Sequence, residues 1–201
     1  MIDIHYFGNI IYYYTLLKPK TIEFATLLPY QKGWFNNKCV IASSNGPLNL
    51  SIPLLGGRNQ HIALKDVRIA YHQNWRRQHL RAIETCYRNA PFFEFYFFKF
   101  EQLFENEFEY LIDFNIASFK LVSSILKIDQ PIVFNDACTD PKQVQMSKIY
   151  NKTSDVLDIS FLKYEQVFEN SIGFLINISI IDLIFCTGTR SNQLLNNTFT
   201  A

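Results

Sequence analysis

Wound as a helix, residues 75–88 place Trp75, Leu80, Ile83, Cys86 and Tyr87 on one arc, with Arg77, Arg81, Glu84 and Arg88 on the opposite side. The spacing predicts a helix begun by Asn74, whose side chain can accept an orphan backbone N–H, and closed before Pro91. Two polar residues intrude on the apolar arc: His79 near its middle and Arg76 inside its far edge. Each must meet something polar opposite, because an unpaired charge or donor in a core is costly. The imidazole reads either as a satisfied core group or as one facing a cleft. The guanidinium reads equally as a structural ion-pair partner or a ligand-binding group. The Arg77, Arg81 and Arg88 stripe reads as a solvated face, partly neutralised by Glu84 through ordinary helix pairing.

The same period recurs along the chain. Ile10, Tyr13, Tyr14 and Leu17 predict a first helix capped by Asn9 and stopped by Pro19. Residues 92–104 and 108–128 predict two more, the second presenting Leu111, Ile112, Asn115, Phe119 and Val122 along one side, with Asn115 read as a core amide bonded to a neighbouring helix. Ser179 predicts the cap of a short last helix, with Asp182 at its positive end and Gly188 as its stop.

Strand signals fill the first third. Residues 21–28 and 62–70 read as strands, and 38–53 as a hairpin turning at Asn45-Gly46, which supplies the positive backbone angles of a tight turn. Residues 131–134 read as a short strand and 163–168 as a strand or a turn of helix, while 136–158 carry no clear period. Residues 30–38 interleave polar heads with aromatic rings and read as a loop; 56–60 read as a flexible connection without a phosphate-loop pattern. The pattern predicts an α+β fold: a mainly antiparallel sheet from the N-terminal third, packed by helices of the middle and C-terminal parts, in a single domain over 1–201.

Composition sharpens this picture. The chain has 201 residues, 48% of them hydrophobic, and a net charge of +1, enough for one sizeable core. Its 19 Phe and 11 Tyr are too dense to be a surface excess, so most belong to core or interface. No apolar run is long enough for a membrane span and no secretory leader opens the chain, so a cytoplasmic protein is expected. Basic residues are scattered, which argues against nucleic acid as a partner. The cysteines at 39, 86, 138 and 186 lack metal or disulfide spacing, as do the histidines at 5, 61, 72 and 79.

Several pieces taken together resemble the WbqC-like family, in the form found in Bacteroidetes. They are Tyr6-Phe-Gly-Asn-Ile10, Tyr30-Gln-Lys32 with Asn37-Lys-Cys39, Asn45-Gly46 with Leu50-Ser-Ile-Pro53, Gln78-His79 through Tyr87-Arg-Asn89, Tyr164-Glu-Gln-Val-Phe168, and Ser179-Ile-Ile-Asp-Leu183. Asn36 stands where that loop usually carries an arginine, and Lys38 where a second is common. The resemblance implies a role in building cell-surface polysaccharide such as O-antigen, with group transfer onto an activated sugar.

The residues then suggest a transferase of acyl or aminoacyl groups to a nucleotide-activated amino sugar, with no cofactor named by any motif. His79 is the candidate general base. Arg76, Lys32 and Lys38 are candidates for holding phosphate or carboxylate, Tyr30, Gln31 and Asn37 for orienting substrate, and Trp75 for contacting it. The alternative is a non-catalytic assembly protein of a polysaccharide-synthesis complex that uses its aromatic excess as an interface, a homo-oligomer included. That alternative predicts a contiguous exposed aromatic patch and no pocket around His79.

Overall fold

Helix α2, Trp75–Tyr87, forms where the apolar arc places it, with Asn74 Oδ1 accepting from Arg77 N–H at 3.4 Å. Its apolar side packs inward, and Arg77, Arg81, Glu84 and Arg88 face solvent. The structure is a computed structural model that describes residues 1–137 and 163–197. The other helices are α1 (Ile10–Leu16), α3 (Phe93–Glu105), α4 (Leu111–Leu126), α5 (Glu169–Ile172), α6 (Ile180–Thr187) and α7 (Ser191–Asn197). Asn9 caps α1 by accepting from Tyr12 N–H, and Ser179 caps α6 by accepting from Ile181 N–H. The predicted apolar side of α4, from Leu111 to Val122, is buried. Asn115 is buried with it, but it donates to the backbone carbonyls of Asn36 and Ile4 rather than to a helix.

The strands are β1 (Ile22–Ala25), β2 (Lys38–Ser43), β3 (Gly46–Ser51) and β4 (Ile132–Asn135). β2 and β3 form the predicted antiparallel hairpin, with Cys39 opposite Leu50 and Ser43 opposite Gly46, whose φ is 105°. β1 instead pairs in parallel with β4, in register from Ile22–Ile132 to Ala25–Asn135. The fold is α+β. In place of one mainly antiparallel sheet, the described residues form two separate pairs, one antiparallel and one parallel.

Residues 62–70 are not a strand. Leu64 and Val67 are buried while Lys65 and Asp66 face solvent, a period of three that matches the 3₁₀ turn Leu64–Asp66. The segment still stitches the molecule together through isolated bridges, Pro29–Ala63, Leu54–Ile69 and Arg68–Tyr110. Residues 163–166 form neither strand nor helix, a turn and α5 follow from 167, and 138–158 of the aperiodic stretch lie outside the described residues.

The core is aromatic. Tyr6, Phe7, Tyr12, Tyr13, Tyr87 and Phe185 are fully buried, and their rings pack in edge-to-face, tilted and stacked pairs, as in Tyr12–Tyr13, Tyr87–Phe185 and Tyr13–Phe119. On α3 the helical period leaves Phe95 and Phe98 exposed, at 67% and 49%. Phe7 holds a φ of 39°, a strained value for a bulky residue. The strain is held by a clasp from the other end of the chain: Ser179 Oγ donates to Phe7 C=O at 2.8 Å, Ile180 N–H to Gly8 C=O at 3.0 Å, and Ile10 N–H to Ile178 C=O at 3.1 Å. No helix among the described residues is long and apolar enough to cross a membrane.

Candidate functional site

His79 is 5% exposed. Its Nδ1 lies 2.8 Å from the Tyr6 hydroxyl, and its ring stands edge-on to Trp75 and Phe104. Burial pushes its pKa down to about 4, with the Ser51 backbone pulling weakly the other way. The ring is therefore neutral at ordinary pH, and a phenol donating to Nδ1 leaves its proton on Nε2. Trp75 is buried beside it. Arg76 meets protein atoms: Nη1 donates to the carbonyls of Phe104, Glu105 and Asn106 at 3.3, 3.1 and 3.1 Å, Nη2 pairs with Glu107 at 2.7 Å, and the guanidinium lies over Tyr71. It is a clamp on the end of α3, where carbonyls lack helical partners and the dipole favours a cation.

The polar loop divides in two. Asn37 is buried, and its Nδ2 donates to Ile52 C=O at 2.9 Å and approaches Ser51 Oγ at 3.5 Å, while its Oδ1 accepts from the Tyr30 hydroxyl at 3.2 Å. Asn36 is buried as well, donating to Ile4 C=O and toward Asp3 Oδ2. Lys38 sits over the Phe35 ring. Tyr30, Gln31 and Lys32, by contrast, line a surface depression of about 510 Å³ whose opposite wall is Arg58, Asn59, Gln60 and His61.

Sequence reading missed that second wall, since 56–60 shows only Gly56-Gly57 followed by polar residues. What joins the walls is backbone pairing: Tyr30 N–H donates to Ile62 C=O at 2.9 Å, next to the Pro29–Ala63 bridge. Gln60 then folds back to donate to Leu55 and Gly57 carbonyls, fixing the outer wall.

His79 is not among the residues that line this depression. It connects to the loop through protein atoms: Tyr6 to His79, His79 to the Ser51 backbone, and Asn37 from the next residue's carbonyl to Tyr30 at the edge of the depression. The depression is lined by two basic side chains, Lys32 and Arg58, a histidine and three amides, and by no carboxylate. Such a lining suits a phosphate or carboxylate, with Arg58 able to bind it bidentately.

Two further polar groups are buried without any sequence signal for their partners. His5 Nε2 lies 2.8 Å from Asp3 Oδ2, stacked on Tyr12. Asp182 stands in the first turn of α6 as expected, and there it accepts from the Tyr164 hydroxyl at 2.6 Å, while Gln166 donates to that same hydroxyl at 3.0 Å. Burial raises the Asp182 pKa to about 6, opposed by the bonds from Tyr164, Tyr87 and Gln166. Cys39, Cys86 and Cys186 are free and buried.

No curated protein and no solved structure matches the chain. The model of the WbqC-like protein family matches residues 5–156, a span that holds α1 to α4, the hairpin, His79 and both walls of the depression. With more than half of its length matched in this way, the chain belongs to the WbqC-like protein family.

Proposed function

We propose that the protein binds a nucleotide-activated sugar in the depression between Tyr30–Lys32 and Arg58–His61 and takes part in building cell-surface polysaccharide. The chemistry this reading assigns is transfer of an acyl or aminoacyl group to the sugar's amine. The observation that carries it is the acid-free, doubly cationic lining of a depression that lies wholly within the family-matched residues. Lys32 and Arg58 hold the diphosphate, and Gln31 and Asn59 orient the sugar. His79 serves as a positioning residue: neutral and enclosed, it steadies the hydrogen-bonded path that ends at Tyr30.

The test is calorimetric titration of UDP-activated amino sugars into the wild type and a Lys32→Gln/Arg58→Gln double variant. Both side chains are exposed, so the fold should survive. Removing two charge-assisted contacts should weaken binding at least about ten-fold. Saturable binding that the double variant leaves unchanged would remove the depression from the reading. The assembly-protein reading draws on exposed Phe95 and Phe98 of α3, and would gain if no nucleotide sugar binds and Phe95→Ser/Phe98→Ser abolishes a self-association seen by sedimentation.

A further inference from the structure

A second cavity of about 680 Å³ opens where the 163–168 segment and the helices that follow it, all beyond the family-matched residues, meet Asn89, Pro91 and Phe92. Its inner polar groups serve one another. Gln166 donates to the Tyr164 hydroxyl and to Leu175 C=O and accepts from Leu175 N–H, while Tyr164 donates to Asp182. Thr187 donates to Leu183 C=O at 2.7 Å. The Cys186 thiol, which also lines the cavity, is raised by burial and by neighbouring Asp182, so it stays protonated and is a poor nucleophile.

Two kinds of group are left facing the cavity. The apolar surfaces are those of Phe92, Val167 and Phe168; at the exposed edge are Lys163 and Arg190, neither in a salt bridge among the described residues. Glu165 lies on the same edge and leaves it net cationic. A purely apolar guest would leave both cations idle, and a bare inorganic anion would leave the rings uncovered. We propose that this cavity binds a small organic anion: a flat apolar body seated against Phe92 and Phe168, with a carboxylate or phosphate held by Arg190 and Lys163. Bidentate pairing favours Arg190 as the main contact.

The site is independent of the sugar-binding reading, and different variants separate the two. Phenyl phosphate, benzoate, neutral benzamide and inorganic phosphate are titrated against the full chain, followed by NMR at the Gln166 side-chain amide. Phenyl phosphate and benzoate should saturate, with benzamide and inorganic phosphate at least about ten-fold weaker. Lys163→Gln/Arg190→Gln, at exposed positions, should cost phenyl phosphate at least about ten-fold in affinity, while Lys32→Gln/Arg58→Gln leaves it unchanged. The proposal is overturned if none of the four saturates in the millimolar range. It is equally overturned if benzamide or inorganic phosphate binds as tightly as phenyl phosphate, or if the Lys163/Arg190 variant binds phenyl phosphate like the wild type.

Discussion

Burial moves His79 and Asp182 in opposite directions, and the two respond oppositely to acid. A histidine in the unfolded chain titrates near its ordinary 6.5, and folded His79 near 4. Between these values the unfolded chain takes up a proton that the folded chain refuses, so stability falls as pH drops through that window, by on the order of 3 kcal/mol. His79→Gln should flatten that fall in thermal melts recorded from pH 7 to 4. Asp182 has an ordinary value of 3.8 and a folded value of about 6. The folded chain therefore keeps a proton that the unfolded chain has lost, and this contribution is present in acid and disappears as pH rises through 6. Asp182→Asn can still accept from Tyr164 without ionising. The melting temperature of this variant relative to wild type should climb between pH 4 and 6 and then level off; a flat difference would contradict the assignment. Gly188 is a third case at this scale. Its φ is 57°, and a Cβ built there overlaps the Phe92 ring, so Gly188→Ala should cost about 2 kcal/mol or more in chemical denaturation.

Among the elements, the clamp made by Arg76 explains why a guanidinium belongs on the inner side of α2. It serves the last carbonyls of α3, which α3 cannot satisfy itself. Arg76→Ala should speed amide exchange in the final turn of α3 and destabilise by about 1–2 kcal/mol, and Arg76→Lys should rescue little, because an ammonium lacks the fork that spans several carbonyls. The intrusion was visible in the sequence; its partner, some thirty positions away on another helix, was not. The same division holds throughout. Asn9, Asn74 and Ser179 caps and the Asn45-Gly46 turn act within a few residues and could be read directly. Parallel pairing of β1 with β4 joins positions about a hundred residues apart, and nothing in either strand names the other. Residues 62–70 misled because Ile62, Leu64 and Val67 look like a strand until burial shows a period of three. At the site, Tyr30, Gln31 and Lys32 could be picked out by polarity, whereas Arg58 and His61 join them only through pairing at Ile62 and Ala63.

For the molecule as a whole, the position of the clasp on Phe7 and Gly8 has a bearing on synthesis. Residues 178–180 lie beyond the family-matched span of 5–156, yet they supply hydrogen bonds to the strained turn before α1. On a nascent chain the turn before α1 therefore has to wait for these contacts until residues 178–180 have left the ribosome. A fragment ending at residue 156 should accordingly show a collapsed, poorly dispersed NMR spectrum, and adding a peptide of residues 163–197 in trans should restore dispersion if the wait is for those contacts alone.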